Sequence, residues 1–279
     1  MIRDIDFTAA IFFTGFLATS GVAFAASART VGRGRGIDRL DGERGLPFVG
    51  KAPLEAAYAL ALRLGRALAA LGVPANAVTV SSVVVAAGAC VCFAMGHFGL
   101  GAAVAILASL ADALDGIIAR ETRTASRLGQ VLDTTIDRYV EALFVSGIAF
   151  FVRSDGLLFV VTLVALIGGF MVSYASSVLR ELGAPDDRAP MRRTHRLIYL
   201  LVGAAVVPVV QTALPEASLR VQLGPVVGAL AAIGVVGNVS AVRRLILAAS
   251  PRRARDPGHL GRPSRAMDGV VVSERVSQP

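Results

Sequence analysis

The chain is poor in the groups that redox and most metal chemistry need. Its 279 residues include two cysteines and three histidines, no tryptophan, and 6% aromatics. Cys90 and Cys92 lie two apart inside an apolar run, too close for ordinary disulfide geometry. No further Cys or His completes a zinc set, so the pair reads as small buried hydrophobes. Charge is also scarce: charged residues are 17% against 54% hydrophobic ones, and mean hydropathy is +0.66. That balance argues against a water-soluble domain and against disorder over most of the chain, which leaves a polytopic, all-α membrane protein. The little charge present is lopsided, +8 at neutral pH. Without rings interleaved among the basic groups it does not read as a nucleic-acid surface. The excess of Lys and Arg in cytoplasmic loops explains it instead.

Apolar runs of spanning length are present. Residues 7–28 are apolar apart from Thr and Ser, about the ~20 residues that a bilayer-crossing helix requires. Arg3, Asp4 and Asp6 precede this run and Arg29, Arg33, Arg35 and Arg39 follow it, a polarity that favours an uncleaved anchor starting outside and ending in the cytoplasm. Residues 29–50 form a Gly/Arg linker; the VGRGRG stretch lacks the strand and the Lys-Ser/Thr of a phosphate loop. From 53 to 71 the apolar residues recur at helical spacing with Arg63 and Arg66 on the polar side, as in an amphipathic helix on the membrane surface. Six further spans are expected at about 78–98, 100–118, 135–152, 157–179, 197–214 and 223–247. With alternate loops inside, every Lys and Arg of the 28 except Arg3, Arg153 and Arg220 falls on the cytoplasmic side or within inner helix ends, as the positive-inside rule requires. The organisation is therefore an anchor and linker over 1–50, a membrane domain over 51–249, and a disordered basic tail over 250–279 that can touch anionic lipid.

Two spans break their apolar pattern in one region near the cytoplasmic face. Asp112 and Asp115 lie three apart at the end of the second main span, and Asp133 and Asp137 lie four apart at the start of the third. Each spacing puts both members on one helical face, so four carboxylates face one another across a single hairpin. A carboxylate at membrane depth costs about 2.5–3.5 kcal/mol, and four of them require compensation. A divalent cation supplies it, and an all-oxygen set suits Mg²⁺, Mn²⁺ or Ca²⁺. Mg²⁺ commonly shares carboxylates with substrate phosphates, which makes a diphosphate the natural companion. The plainer alternative is a surface ion-pair network with Arg120, Arg123, Arg127 and Arg138.

Asp112, Asp115, Gly116, Ala119, Arg120, Gly129, Asp133 and Asp137 together fill the pattern DxxDGxxAR, eight residues, GxxxDxxxD. That pattern resembles the signature of the CDP-alcohol phosphatidyltransferase family at every specified position. The amphipathic helix, the six spans and the AsnAlaValThr segment at 76–79 are similar too; the Pro that the family usually has directly before that Asn stands one position earlier, as Pro74. The resemblance implies transfer of a phosphatidyl group from CDP-diacylglycerol to an alcohol with release of CMP. On it, Asp112, Asp115 and Asp133 hold one or two Mg²⁺ or Mn²⁺ ions that bridge the diphosphate. Asp137 binds a second metal ion or accepts the proton of the acceptor hydroxyl. Gly116 and Ala119 leave room for the nucleotide, although Gly116 reads equally as a small-residue helix contact. Arg120 reaches phosphate, Ser126 and Asn76 line the nucleotide pocket, and Gly129 belongs to the same CDP-lipid-binding set while giving close packing where the third span starts. A homodimer in the cell membrane, with the site facing the cytoplasm, is the expected assembly.

The acceptor is less defined. Arg193 and Arg196 match the two Arg of an ArgProGluArg element in members that use a phosphorylated inositol, where two guanidinium groups can hold a phosphate monoester; ordinary positive-inside charge explains them equally well. Those members also carry a cation shortly after the Tyr of their fourth span, whereas this chain has Tyr174, Ala175, Ser176 and Ser177. Inositol phosphate and glycerol 3-phosphate are therefore rivals, with unphosphorylated alcohols behind them. A transporter using intramembrane carboxylates is the alternative of a different class; it predicts acids spread along several helices through the membrane depth, and here they occupy one hairpin.

Overall fold

The computed structural model describes residues 4–11, 52–181 and 193–248. Among them every regular element is helical and there is no strand. The elements are α1 (residues 4–11), α2 (Ala52–Ala70), α3 (Ala75–Ala94), α4 (Phe98–Glu121), α5 (Arg127–Phe151), α6 (Gly156–Glu181), α7 (Arg193–Ala213), α8 (Leu219–Gln222) and α9 (Gly224–Ala248). The linker, the basic tail and all but the first residues of the expected anchor lie outside the described residues.

The bundle has two halves that meet through α7 and along α5 and α6. Helix α3 packs on α4 and α5, α6 packs on α9, and α7 lies against both α4 and α9. Small residues allow the close approach that membrane helices depend on, because lipid offers no hydrophobic drive for their association. At Gly237 an added Cβ would meet the Gly168 backbone at 2.9 Å. At the end opposite the aspartates, Phe93, Phe98, Phe144 and Phe151 interlock edge to face, with Phe98 and Phe151 centroids 5.2 Å apart at 85° and Phe93 and Phe144 6.5 Å apart at 79°. Such geometry suits the ring quadrupoles.

Five helices among the described residues are long and apolar enough to cross a membrane: α3, α4, α6, α7 and α9. The third expected span, over 135–152, forms α5, which begins eight residues earlier and carries Arg127, Asp133, Asp137, Arg138 and Glu141 between its start and residue 141. The first expected span ran to 98, but α3 stops at Ala94. Gly96 takes a positive φ of 85°, the His97 amide donates to Cys92 O at 2.9 Å and the Gly96 amide to Phe93 O at 3.0 Å. This is a Schellman closure whose left-handed position favours glycine.

Helix α1 docks at that same turn. Asp6 is buried and its Oδ1 accepts from the Leu100 amide at 2.8 Å, satisfying one of the free N–H groups in the first turn of α4. The first turn of α1, with Asp4 and Asp6, therefore lies at the aromatic end of the bundle, away from the aspartate hairpin.

Candidate active site

The hairpin is built by two helix ends and a tight turn. Helix α4 closes on Thr122, after which Arg123 takes the left-handed φ of 56° while the Thr124 amide donates to Ala119 O at 3.0 Å. Ser126 then caps α5, its hydroxyl accepting from the Gly129 amide at 3.0 Å, the usual role of Ser before a first helical turn. This turn sets the two aspartate pairs opposite each other.

Asp112, Asp133 and Asp137 converge: one carboxylate oxygen from each lies within 4.8 Å of the others, near enough to share an ion. The set contains only hard oxygen donors, and Asp112 Oδ1 is buried without a hydrogen-bond partner, so these residues fit a divalent cation of the Mg²⁺ or Mn²⁺ kind. Asp115 stands outside this trio. The residue is 5% exposed, and its Oδ2 accepts at 2.5 Å from the hydroxyl of Thr79, itself 4% exposed, on α3. A short bond from a buried hydroxyl to an acid fixes the orientation of that acid.

A cavity of about 850 Å³ opens beside the hairpin, of the size of small-molecule sites. Asn76, Gly116, Ala119, Arg120, Ser126 and Gly129 all line it, together with Asp115 and Asp133. At Gly116 the nearest atoms to an added Cβ belong to the Arg120 guanidinium, 3.4–4.0 Å off; this glycine faces the cavity and is no contact with another helix. Gly129 likewise differs from the expected packing role, since only Ser126 Oγ, at 3.2 Å, lies within 4 Å of its Cβ position.

The two arginines of α7 diverge from expectation and from each other. Arg193 reaches into the aspartates: Nη1 lies 3.1 Å from Asp112 Oδ2 and 2.5 Å from Asp137 Oδ1. Arg196 does not present its guanidinium to that space. Its side chain is 3% exposed and is held by Glu141 in a two-point pair at 2.7 and 2.9 Å, with Ser173 Oγ at 3.3 Å. The geometry is one of matched faces. Asp137 and Glu141 lie one turn apart on α5, Arg193 and Arg196 one turn apart on α7, and the pairs meet in register. Gly169 lets α6 approach this pair, because a Cβ there would stand 3.1 Å from Glu141 Oε1.

Sequence reasoning missed Thr79, Glu141 and Gly169. Glu141 had a signal, since Asp133, Asp137 and Glu141 form a stripe at intervals of four; Thr79 lay unassigned within the AsnAlaValThr segment.

The family profile described as CDP-alcohol phosphatidyltransferase matches residues 73–236, which contain the whole hairpin and most of the cavity lining. The chain belongs to the CDP-alcohol phosphatidyltransferase family. Members of this family are transferases, and the relatives agree. The chain is 35% identical over 167 residues to the phosphatidylinositol phosphate synthase of Mycobacterium tuberculosis, covering 58% of this chain and 75% of that protein. It is 36% identical over 147 residues to the enzyme of the same name from Mycobacterium marinum, covering 51% of this chain and 63% of that one, just under two thirds of its length. An archaetidylinositol phosphate synthase from Pyrococcus horikoshii is 37% identical over 158 residues, covering 55% and 77% of the two chains. Among solved structures, the Mycobacterium tuberculosis phosphatidylinositol phosphate synthase with CDP-DAG bound superposes with a TM-score of 0.58 at 25% identity, covering 73% of this chain and 98% of that one. The same enzyme in complex with manganese and citrate gives 0.59 at 25% identity, covering 73% and 93%.

Proposed function

We propose that this phosphatidyltransferase transfers the phosphatidyl group of CDP-diacylglycerol to the hydroxyl of a phosphorylated polyol, inositol phosphate before glycerol 3-phosphate, and releases CMP. One observation carries the reading: three carboxylates within 4.8 Å of one another adjoin a cavity of about 850 Å³ lined by all six signature and flanking positions assigned to the nucleotide lipid. The relatives that make phosphatidylinositol phosphate support the acceptor.

Asp112, Asp133 and Asp137 are the residues that would hold Mg²⁺ or Mn²⁺, with Asp115 oriented by Thr79 beside them. A bound divalent cation supplies neutralisation of the diphosphate as charge moves onto CMP. Gly116 and Ala119 leave the α4 backbone open to the nucleotide, and Arg120 offers a two-point fork to phosphate. Asp137 accepts the proton of the acceptor hydroxyl. That oxygen attacks the lipid-side phosphorus, the bond from this phosphorus to the bridging oxygen breaks, and CMP leaves with that oxygen. Arg193 would hold the acceptor's phosphate; Arg196 would act behind it by fixing Glu141 and with it the α5 face that carries Asp137. The Lys and Arg distribution supports a site on the cytoplasmic side of the cell membrane, and a homodimer is the assembly proposed.

The test incubates purified protein with CDP-diacylglycerol, Mn²⁺ or Mg²⁺, and either inositol phosphate, glycerol 3-phosphate, inositol or serine, then identifies the lipid formed. A phosphatidylinositol phosphate product with stoichiometric CMP is the expected result. CMP release with glycerol 3-phosphate alone would move the acceptor, and no release with any acceptor would remove the transferase reading.

A further inference from the structure

Arg193 and a divalent cation require the same atoms. Nη1 of Arg193 contacts Asp112 Oδ2 and Asp137 Oδ1, and these carboxylates are two of the three that converge within 4.8 Å. A cation bound to them sits at about 2.1 Å from oxygen. It would take up the space of Nη1 and repel its charge. The contact to Asp137 is an ion pair whose angle falls outside hydrogen-bond geometry, so it is not a locked fork. Meanwhile Nε and Nη2 of Arg193 are buried and make no hydrogen bond; Nη1 of Arg138, next to Asp137 on α5, is buried without one too, its ion-pair contact being Glu141 Oε2 at 3.6 Å. Unused guanidinium donors away from bulk water are costly unless they serve an anion, and the planar fork of Arg matches phosphate oxygens. Arg196 offers a contrast, since its pair with Glu141 engages both ends of its fork.

We propose that Arg193 couples cation binding to acceptor binding: the cation and the guanidinium exchange on Asp112 and Asp137, and the displaced guanidinium, with Arg138, takes a phosphate monoester. The inference rests on the metal-dependent transferase reading above and adds an order to it. Cation binding frees the anion site, and an anion on Arg193 clears the carboxylates. Each ligand therefore strengthens the other by the same factor, as linkage demands. Arg193 is a positioning residue in this scheme as well as a ligand for phosphate, and no charge-balancing step depends on turnover.

The experiment is a Mn²⁺ titration of the purified full chain in detergent, with free Mn²⁺ read by electron paramagnetic resonance, with and without inorganic phosphate and against protein-free samples of the same phosphate content. Phosphate is expected to tighten Mn²⁺ binding to the native protein by about tenfold, within the usual range for coupled sites. Arg193→Ala is expected to bind Mn²⁺ at least as tightly as the native chain and to show no response to phosphate; Arg193→Gln serves as a second variant, and the native titration stands without either. Native binding of Mn²⁺ that ignores phosphate overturns the coupling and leaves the transferase reading intact. A phosphate response that survives in Arg193→Ala overturns it too, because the anion would then sit on the metal ion itself, and so does weakened Mn²⁺ binding in that variant. Failure of the native chain to bind Mn²⁺ at all would defeat both readings.

Discussion

Replacing Thr79 by valine removes one hydroxyl from the interior and leaves a side chain of similar shape. In the native chain that hydroxyl sits 2.5 Å from Asp115 Oδ2, with both residues at or below 5% exposure. A hydrogen bond to a charged group contributes about 1.5–3 kcal/mol, and loss of a group that orients a metal-site carboxylate commonly costs 10–100-fold in metal affinity or activity. Thr79→Val should therefore lower CMP release, and weaken Mn²⁺ binding, by about 10- to 100-fold while the melting temperature changes little. Thr79→Ser keeps the hydroxyl and should stay within about threefold of the native rate, since the bond is retained. The assay pairs Mn²⁺ affinity with turnover of CDP-diacylglycerol in both variants. Native values in Thr79→Val, or an equal loss in Thr79→Ser, would refute the idea that this hydroxyl aims Asp115.

Three further outcomes are expected. Arg196→Ala leaves Glu141 buried with Arg138 3.6 Å away as its remaining ion-pair partner, and should cost about 3–5 kcal/mol by denaturant or thermal unfolding; the double change Glu141→Gln with Arg196→Met should recover much of it. On the opposite side of the bundle, the Arg220 guanidinium beside Asp155, 2.6 Å away, holds that carboxyl below its ordinary value of 3.8. The contribution of this pair is complete above 3.8 and fades as pH falls through the lower folded value, so Arg220→Gln should flatten the acid limb of the melting curve and leave neutral pH almost unchanged. Arg123→Gly, at the left-handed residue of the α4–α5 turn, should raise stability by about 1 kcal/mol, measured by unfolding of the free protein.

What could be read in the sequence was what is local. Apolar length gave the helices, and the intervals of three and four gave two aspartate faces that the turn at 122–126 brings together. Hydropathy read through Gly96 and His97 because neither interrupts an apolar average, although the backbone there reverses. It also started the third span at 135 rather than 127, because the charged beginning of α5, whose Asp137 and Glu141 meet Arg193 and Arg196 of α7, does not register in an apolar average. The same limit hid the pairing of Arg196 with Glu141, which are 55 residues apart, and of Thr79 with Asp115, 36 apart. On sequence alone Arg193 and Arg196 are indistinguishable basic residues of an inner loop. Packing separates them: α7 turns one toward the aspartates and the other into the α5–α6 interface.

The most direct test of the account follows CDP-diacylglycerol and inositol phosphate in the presence of Mn²⁺, with the native chain and Asp137→Asn compared at matched folding by melting temperature. The native chain is expected to form phosphatidylinositol phosphate and one CMP per lipid, and Asp137→Asn to form neither. Product formation by Asp137→Asn at the native rate would contradict the assignment of the proton to that carboxylate, and absence of product from the native chain with every acceptor would contradict the reaction itself.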